Sequence, residues 1–125
     1  MNNPKDLRYT ADHEWVRLEG DIATVGVTDY AQGELGDIVF VEVETEGENL
    51  NAEEVFGTIE AVKTVSDLFL PIAGEVIEFN EALDNDPSLI NSDAYGEGWI
   101  IKVKVNDITD MESLMDAEAY EASLA

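Results

Sequence analysis

The sequence predicts a mainly β domain with short helices, and three observations carry the prediction. Strand-favouring runs lie on both sides of Lys63: Val55, Phe56, Thr58 and Ile59 before it, Val65, Leu68, Phe69 and Leu70 after it. Trp15 to Leu18 and Ile22 to Val27 flank Glu19-Gly20-Asp21, a three-residue connection whose central glycine suits a hairpin. From Ile101 onward, Lys102 and Lys104 alternate with Val103 and Val105, the period of two that marks a strand with one wet face.

The 125 residues make a single domain, 1–125, and a hydrophobic fraction of 45% is enough for a folded core. The chain carries 29 acidic against 6 basic side chains, a formal net charge of -23. Such a charge repels nucleic acid and anionic membrane surfaces, favours a soluble monomer, and suits partner proteins with basic docking faces. With no cysteine there is no disulfide, thiol nucleophile or thiolate metal site, so redox chemistry has to come from an attached group. One histidine excludes a multi-histidine metal centre, and the carboxylates lack the spacing of a calcium loop. No nucleophile-base-orienter set can be assembled, which argues against an enzyme. No apolar run is long enough to span a membrane. Met1 to Asp6 has neither the apolar core of a secretory signal nor the arginine-rich character of a mitochondrial presequence. The chain reads as cytoplasmic, or as a matrix protein if a presequence has been removed.

Taken in order, the first unit runs from Tyr9 to Val27 and holds the Gly20 hairpin. His13 within it reads more as a structural ring beside Trp15 than as a functional group. Thr28 or Asp29 can cap a short helix through Leu35, with Gly36 as its stop and Gly33 weakening it. Ile38 to Val43 is a strand whose apolar run suggests a central place in a sheet. Glu44 to Glu54 is acidic and turn-rich, a solvated loop. Gly36-Asp37-Ile38-Val39 is echoed by Gly74-Glu75-Val76-Ile77 on the other side of Lys63. Asn80 to Asp93 reads as a surface connection with no regular element. Tyr95-Gly96-Glu97-Gly98-Trp99 leads into the alternating strand, and without a following Gly-Lys-Ser/Thr it is not a phosphate loop. Asp110 can cap a helix at Met111 to Met115, and Asp116 another at Ala117 to Ala122, with Leu114, Met115 and Tyr120 covering the core.

Lys63 is the feature that asks for a chemical explanation. It is the only basic residue between Arg17 and Lys102, set between two strand-forming runs, where a solubilising turn residue in so acidic a chain would be acidic. An exposed hairpin tip presents its amine to a modifying enzyme, and its four methylenes give an attached group reach; arginine could not form the amide.

Glu60-Ala61-Val62-Lys63-Thr64-Val65-Ser66-Asp67, followed by Pro71-Ile72-Ala73-Gly74-Glu75-Val76, resembles the lipoyl-lysine segment of the glycine cleavage H-protein family. The resemblance extends from Tyr9 to Tyr120, taking in Thr10-Ala11-Asp12-His13-Glu14-Trp15, Thr28-Asp29-Tyr30-Ala31-Gln32, Tyr95-Gly96-Glu97-Gly98-Trp99 and the C-terminal Asp116-Ala117 with Tyr120. Ala61, Thr64, Asp12 and Glu34 depart from the family's commonest residues. The resemblance implies a hybrid barrel-sandwich of antiparallel strands with short helices, and a carrier bearing lipoate as N6-lipoyl-lysine at Lys63. It implies four partners: a pyridoxal-phosphate glycine decarboxylase that loads an aminomethyl group, a folate-dependent aminomethyltransferase that unloads it, dihydrolipoyl dehydrogenase, and the ligase or transferase that attaches lipoyl. It further implies that Glu14 and Asp67 cradle the loaded arm, although Asp67 could merely shape the turn and Glu14 be a solvated loop residue. Three alternatives are weighed against it. A biotin carrier would show methionines beside Lys63, and a 2-oxo acid dehydrogenase lipoyl domain would show Asp-Lys-Ala and an Ala/Pro-rich linker. A lipoyl-relay donor is the alternative that sequence separates least well.

Overall fold

A computed structural model describes residues 3–124; Met1 and Asn2, where the targeting reading begins, lie outside the described residues. The elements are β1 (Arg8–Tyr9), β2 (Glu14–Glu19), β3 (Ile22–Val27), α1 (Asp29–Leu35), β4 (Ile38–Glu42), β5 (Asn49–Leu50), β6 (Val55–Ala61), β7 (Val65–Phe69), β8 (Gly74–Phe79), α2 (Ala82–Asn85), α3 (Leu89–Ser92), β9 (Ile101–Val105) and α4 (Ala117–Leu124), with a 3-10 helix at Ile108–Ser113 before α4. The strands form a six-stranded sheet in the order β1-β2-β3-β9-β8-β5 and a three-stranded sheet in the order β4-β6-β7. All pairings are antiparallel, and both sheets contribute to one apolar core: Val25, Val76 and Val103 from the first, Val41, Ile59 and Leu68 from the second. This is the expected barrel-sandwich hybrid with short helices.

A second, smaller cluster joins the N-terminus to α4. Leu7, Tyr9, Trp15, Ala117 and Tyr120 are all buried there, with the Tyr9 and Tyr120 rings stacked 4.7 Å apart and 8° from parallel. Trp15 lies over Gly26, its register partner, where a Cβ would stand 2.7 Å from the indole; only glycine leaves room for the ring.

The Gly20 hairpin forms with Gly20 at φ 65, but Glu19 pairs with Ile22, so the connection has two residues instead of the expected three. Thr28 caps α1 by accepting from the Ala31 N–H, and Gly36 at φ 81 ends it, as the sequence indicates. Asp116 caps α4, accepting from the Ala119 N–H at 2.8 Å.

Four expectations are corrected. Ile38 to Val43 holds an edge strand, β4, which pairs with β6 alone, and a bulge between Ile38 and Phe40 leaves Val39 and Phe40 46% and 47% exposed. The loop at Glu44 to Glu54 contains β5, which pairs with β8. Asn80 to Asp93 contains α2 and α3, single helical turns that drive Leu83 and Ile90 into the core; their burial overrides turn-forming composition. Asp110 caps nothing, since Asp107 starts the turn first by accepting from both the backbone and the hydroxyl of Thr109.

Candidate functional site

Lys63 stands where the sequence places it, at the exposed tip between β6 and β7. The Ala61 N–H donates to the Thr64 carbonyl at 2.7 Å and closes the tip. The neighbouring Val62 N–H donates to Asp37 O at 3.0 Å, so the turn is anchored to the corner between α1 and β4. That corner is itself clamped by Asn91 of α3. Its carboxamide donates to Gly36 O at 2.9 Å and to Gln32 Oε1 at 3.0 Å, and accepts from the Ile38 N–H at 2.9 Å. Asn91 is a residue that sequence reading misses, since an asparagine in a turn-rich stretch looks like a turn former.

The lysine stem folds over the end of α1: a Cβ on Gly36 would stand 3.5 Å from Lys63 Cε and 4.0 Å from Nζ. Beneath α1 lies a cavity of about 320 Å³. Tyr30, Ala31, Glu34 and Leu35 form one wall, Ser66, Asp67 and Leu68 of β7 another, and Asp12, His13 and Glu14 a third. The structure therefore brings Glu14 and Asp67, 53 residues apart in sequence, onto one cavity. From Lys63 in the turn to Asp67 on β7 is four residues, at most roughly 13 Å at about 3.3 Å per residue. An arm of roughly 14 Å by summed bond lengths reaches that far. The apolar members Val27, Ala31, Leu35, Ile59 and Leu68 suit an alkyl chain, and the acidic members suit a positively charged end.

The two carboxylates differ in setting. Asp67 is exposed, whereas Glu14 is 3% exposed, with Oε1 accepting from Thr10 Oγ1 at 3.0 Å and Oε2 from the Phe69 N–H at 3.2 Å. Burial pushes its carboxyl up to about 8; the two hydrogen bonds oppose the shift and nearby Asp12 adds to it. Among the described residues no lysine or arginine lines the cavity to hold the carboxylate ionised. Glu14 and Asp12 also border a wider cavity of about 610 Å³ on the side of Glu53, Leu70 and Met115.

His13, half-buried at φ 67, joins the second cluster to the cavity. Its Nδ1 is 2.8 Å from the Tyr120 hydroxyl and its ring lies 4.7 Å from that of Tyr30. Burial holds its pKa below the ordinary value, against the pull of Asp12 and Glu34. The structural reading of His13 stands, but its ring also lines the cavity. Glu34, exposed on α1, takes the same wall.

Among the described residues no group of histidine and carboxylate side chains is arranged to hold a metal ion, and no helix is long and apolar enough to cross a membrane. The family model for the glycine cleavage H-protein matches residues 7–125. A glycine cleavage system H protein of Bacteroides fragilis is 63% identical over 122 residues, 98% of this chain and 97% of the relative. That of Bacteroides thetaiotaomicron is 64% identical over the same shares. The crystal structure of a glycine cleavage system H protein from Mycobacterium marinum superposes with a TM-score of 0.84 at 40% identity, covering 96% of this chain and 97% of that one. A match across nearly the whole chain in family model, sequence and fold settles the assignment: the chain belongs to the glycine cleavage H-protein family.

Proposed function

We propose that this protein is the lipoylated carrier of glycine cleavage, with its arm on Lys63 and with Glu14 and Asp67 receiving the arm's cationic end. The observation that carries the reading is the placement of Lys63 on a hydrogen-bonded, exposed tip one strand away from an acid-lined cavity. The lipoyl group, when attached, supplies a dithiol on which a one-carbon amine can be carried. The chain's part is to present Lys63, to cover the alkyl stem with Leu35, Ile59 and Leu68, and to hold an ammonium beside two carboxyl groups.

Glu14 has a particular task in this reading. Its carboxyl, raised chiefly by burial, keeps its proton to about pH 8. An ammonium arriving alongside favours the ionised form, and a neutral amine takes the proton, so both routes end at the same ion pair. A charge-assisted contact of this kind contributes about 1.5 to 3 kcal/mol. Glu14 and Asp67 would hold the amine of a loaded arm protonated, and a contact of that size would slow loss of the carried unit to water by roughly tenfold to a hundredfold.

The partners that follow are glycine decarboxylase, the folate-dependent aminomethyltransferase, dihydrolipoyl dehydrogenase and the enzyme that attaches lipoyl. The bacterial relatives support work in the cytoplasm. The test is intact mass and peptide mapping of the native protein. A single lipoyl increment on the peptide containing Lys63, absent in a folded Lys63→Arg variant, is expected. Lipoyl on Lys102 or Lys104, a biotinyl increment, or no modification would overturn the assignment.

A further inference from the structure

The second aromatic cluster meets the arm cavity through His13, which lines the cavity and whose ring nitrogen faces the Tyr120 hydroxyl. Tyr120 and Thr28 are both 0% exposed, and the hydroxyl lies 2.8 Å from His13 Nδ1 and 2.8 Å from Thr28 Oγ1. It has one hydrogen, so it donates to one neighbour and accepts from the other. Thr28 decides which. Its oxygen already accepts from the Ala31 N–H, and its own hydrogen has no acceptor other than Tyr120 among the described residues. Donation from Tyr120 to Thr28 would strand that hydrogen in a fully buried site. The satisfied arrangement runs from Thr28 O–H to Tyr120 O, and from Tyr120 O–H to the lone pair of His13 Nδ1. The ring proton is then on Nε2. A second ring proton, on Nδ1, would reverse the whole relay.

We infer that Tyr120 is a positioning residue of the arm cavity, holding His13 as the neutral Nε2–H tautomer on the cavity wall through a relay that begins at Thr28. The inference rests on the reading that the cavity receives a cationic arm. The groups facing His13 make the need plain. Asp12 and Glu14 flank it in the chain, Glu34 and Tyr30 face it from α1, Tyr120 from α4, and Asp67 lies across the cavity on β7. Four carboxyl groups around one imidazole would ordinarily draw a proton onto it. An imidazolium there would occupy the carboxylates intended for the arm and repel its ammonium. Burial acts in the same direction as the relay.

The chain has one histidine, so ring-nitrogen NMR of unmodified protein labelled at histidine reports this site alone. Wild type is expected to show the Nε2–H tautomer. Tyr120→Phe keeps the ring that stacks on Tyr9 and removes only the hydroxyl. It should mix the tautomers and raise the proton affinity of His13 at least tenfold. Thr28→Val should shift the titration the same way, and Thr28→Ser, which keeps a hydroxyl, should restore the wild-type curve and provides the test if the Tyr120 variant does not fold. In aminomethyl-loaded protein, Tyr120→Phe should show formaldehyde release that climbs as pH falls through the new His13 midpoint, an inflection wild type lacks. An Nδ1–H tautomer in wild type, or titration unchanged in both hydroxyl-deleting variants, overturns the relay. A shifted titration with an unchanged release profile overturns its role in the cavity. Failure of the carrier reading would show separately, as a Lys63 that takes up no mass.

Discussion

Replacing Glu14 by glutamine should reverse the order of stability between acid and alkaline pH. The wild-type carboxyl is raised from 4.5 to about 8 in the fold. Because the folded value is the higher one, folding favours the protonated form; that contribution is complete below about pH 4.5, declines as pH rises, and is gone above about pH 8. At about 1.4 kcal/mol per unit, the shift amounts to on the order of 4 to 5 kcal/mol. This is comparable with the whole stability of an ordinary domain, about 5 to 15 kcal/mol. Glutamine keeps the shape and never ionises, but it has only one oxygen for the two donors, Thr10 Oγ1 and the Phe69 N–H, a roughly pH-independent loss of about 1 to 3 kcal/mol. Wild type should therefore be the more stable near pH 5 and Glu14→Gln the more stable near pH 9. The assay is urea unfolding of both unmodified proteins at fixed salt across that range, with equal m-values as the check that only stability has changed. The general repulsion among the chain's carboxylates is common to both proteins and cancels in the difference. A difference that stays flat from pH 5 to pH 9 would refute the argument, because it would mean that Glu14 ionises in the fold as easily as in water.

Three further outcomes are expected. In aminomethyl-loaded protein, Glu14→Gln and Asp67→Asn should release formaldehyde roughly tenfold to a hundredfold faster than wild type, and equal rates in all three would take both residues out of the cradle. Asn91→Ala removes the carboxamide that clamps Gly36, Gln32 and Ile38. It should lower unfolding stability by about 1 to 3 kcal/mol and speed amide exchange at Val62 and Ala61, while Asn91→Asp, which keeps the acceptor for Ile38 but turns a carboxylate oxygen toward Gly36 O and Gln32 Oε1, should cost at least as much. Acylation of Lys63 takes the formal charge from -23 to -24, -23 minus 1. Association rates with the partner enzymes should fall as salt rises, with screening over about 8 to 10 Å near physiological salt; rates independent of salt would assign the acidity to solubility.

What was legible in the sequence is what local chemistry decides. Gly20 turns a hairpin, Thr28 and Asp116 cap helices, and Lys63 projects from between two strand-forming runs, each through neighbours a few residues away. The misreadings sit where distant contacts decide. An apolar run reads as a central strand, but β4 has β6 as its one neighbour in the sheet, and its bulge at Val39 is set by that pairing. Turn-forming residues from Asn80 to Asp93 become α2 and α3 because Leu83 and Ile90 are drawn into a core formed by other elements. The candidate site divides in the same way. Lys63 was visible from its own segment, whereas Glu14 and Asp67 could be paired only through resemblance, since nothing local says that β7 passes Thr10 to Glu14.

The echo between Gly36-Asp37-Ile38-Val39 and Gly74-Glu75-Val76-Ile77 is weak as a sequence pattern, but the two copies share a geometry that a chance match would not require. Ile38 and Val76 are both buried, at 3% and 0% exposure, and the next residues, Val39 and Ile77, both turn out, at 46% and 38%. In each copy the register slips at the same step, between Ile38 and Phe40 and between Val76 and Glu78. The two register shifts put a bulge at the same step of β4 and of β8. The turn of the β6–β7 hairpin, Val62 to Thr64, is exposed and belongs to neither core cluster, so it projects. A lysine at that end is presented by the topology itself. The Val62 bond to Asp37, inside the first copy of the echo, ties the tip to the residue that leads into β4. An arm attached there pivots on a fixed point, and the freedom it needs to travel between the cavity and a partner's active site resides in its own single bonds.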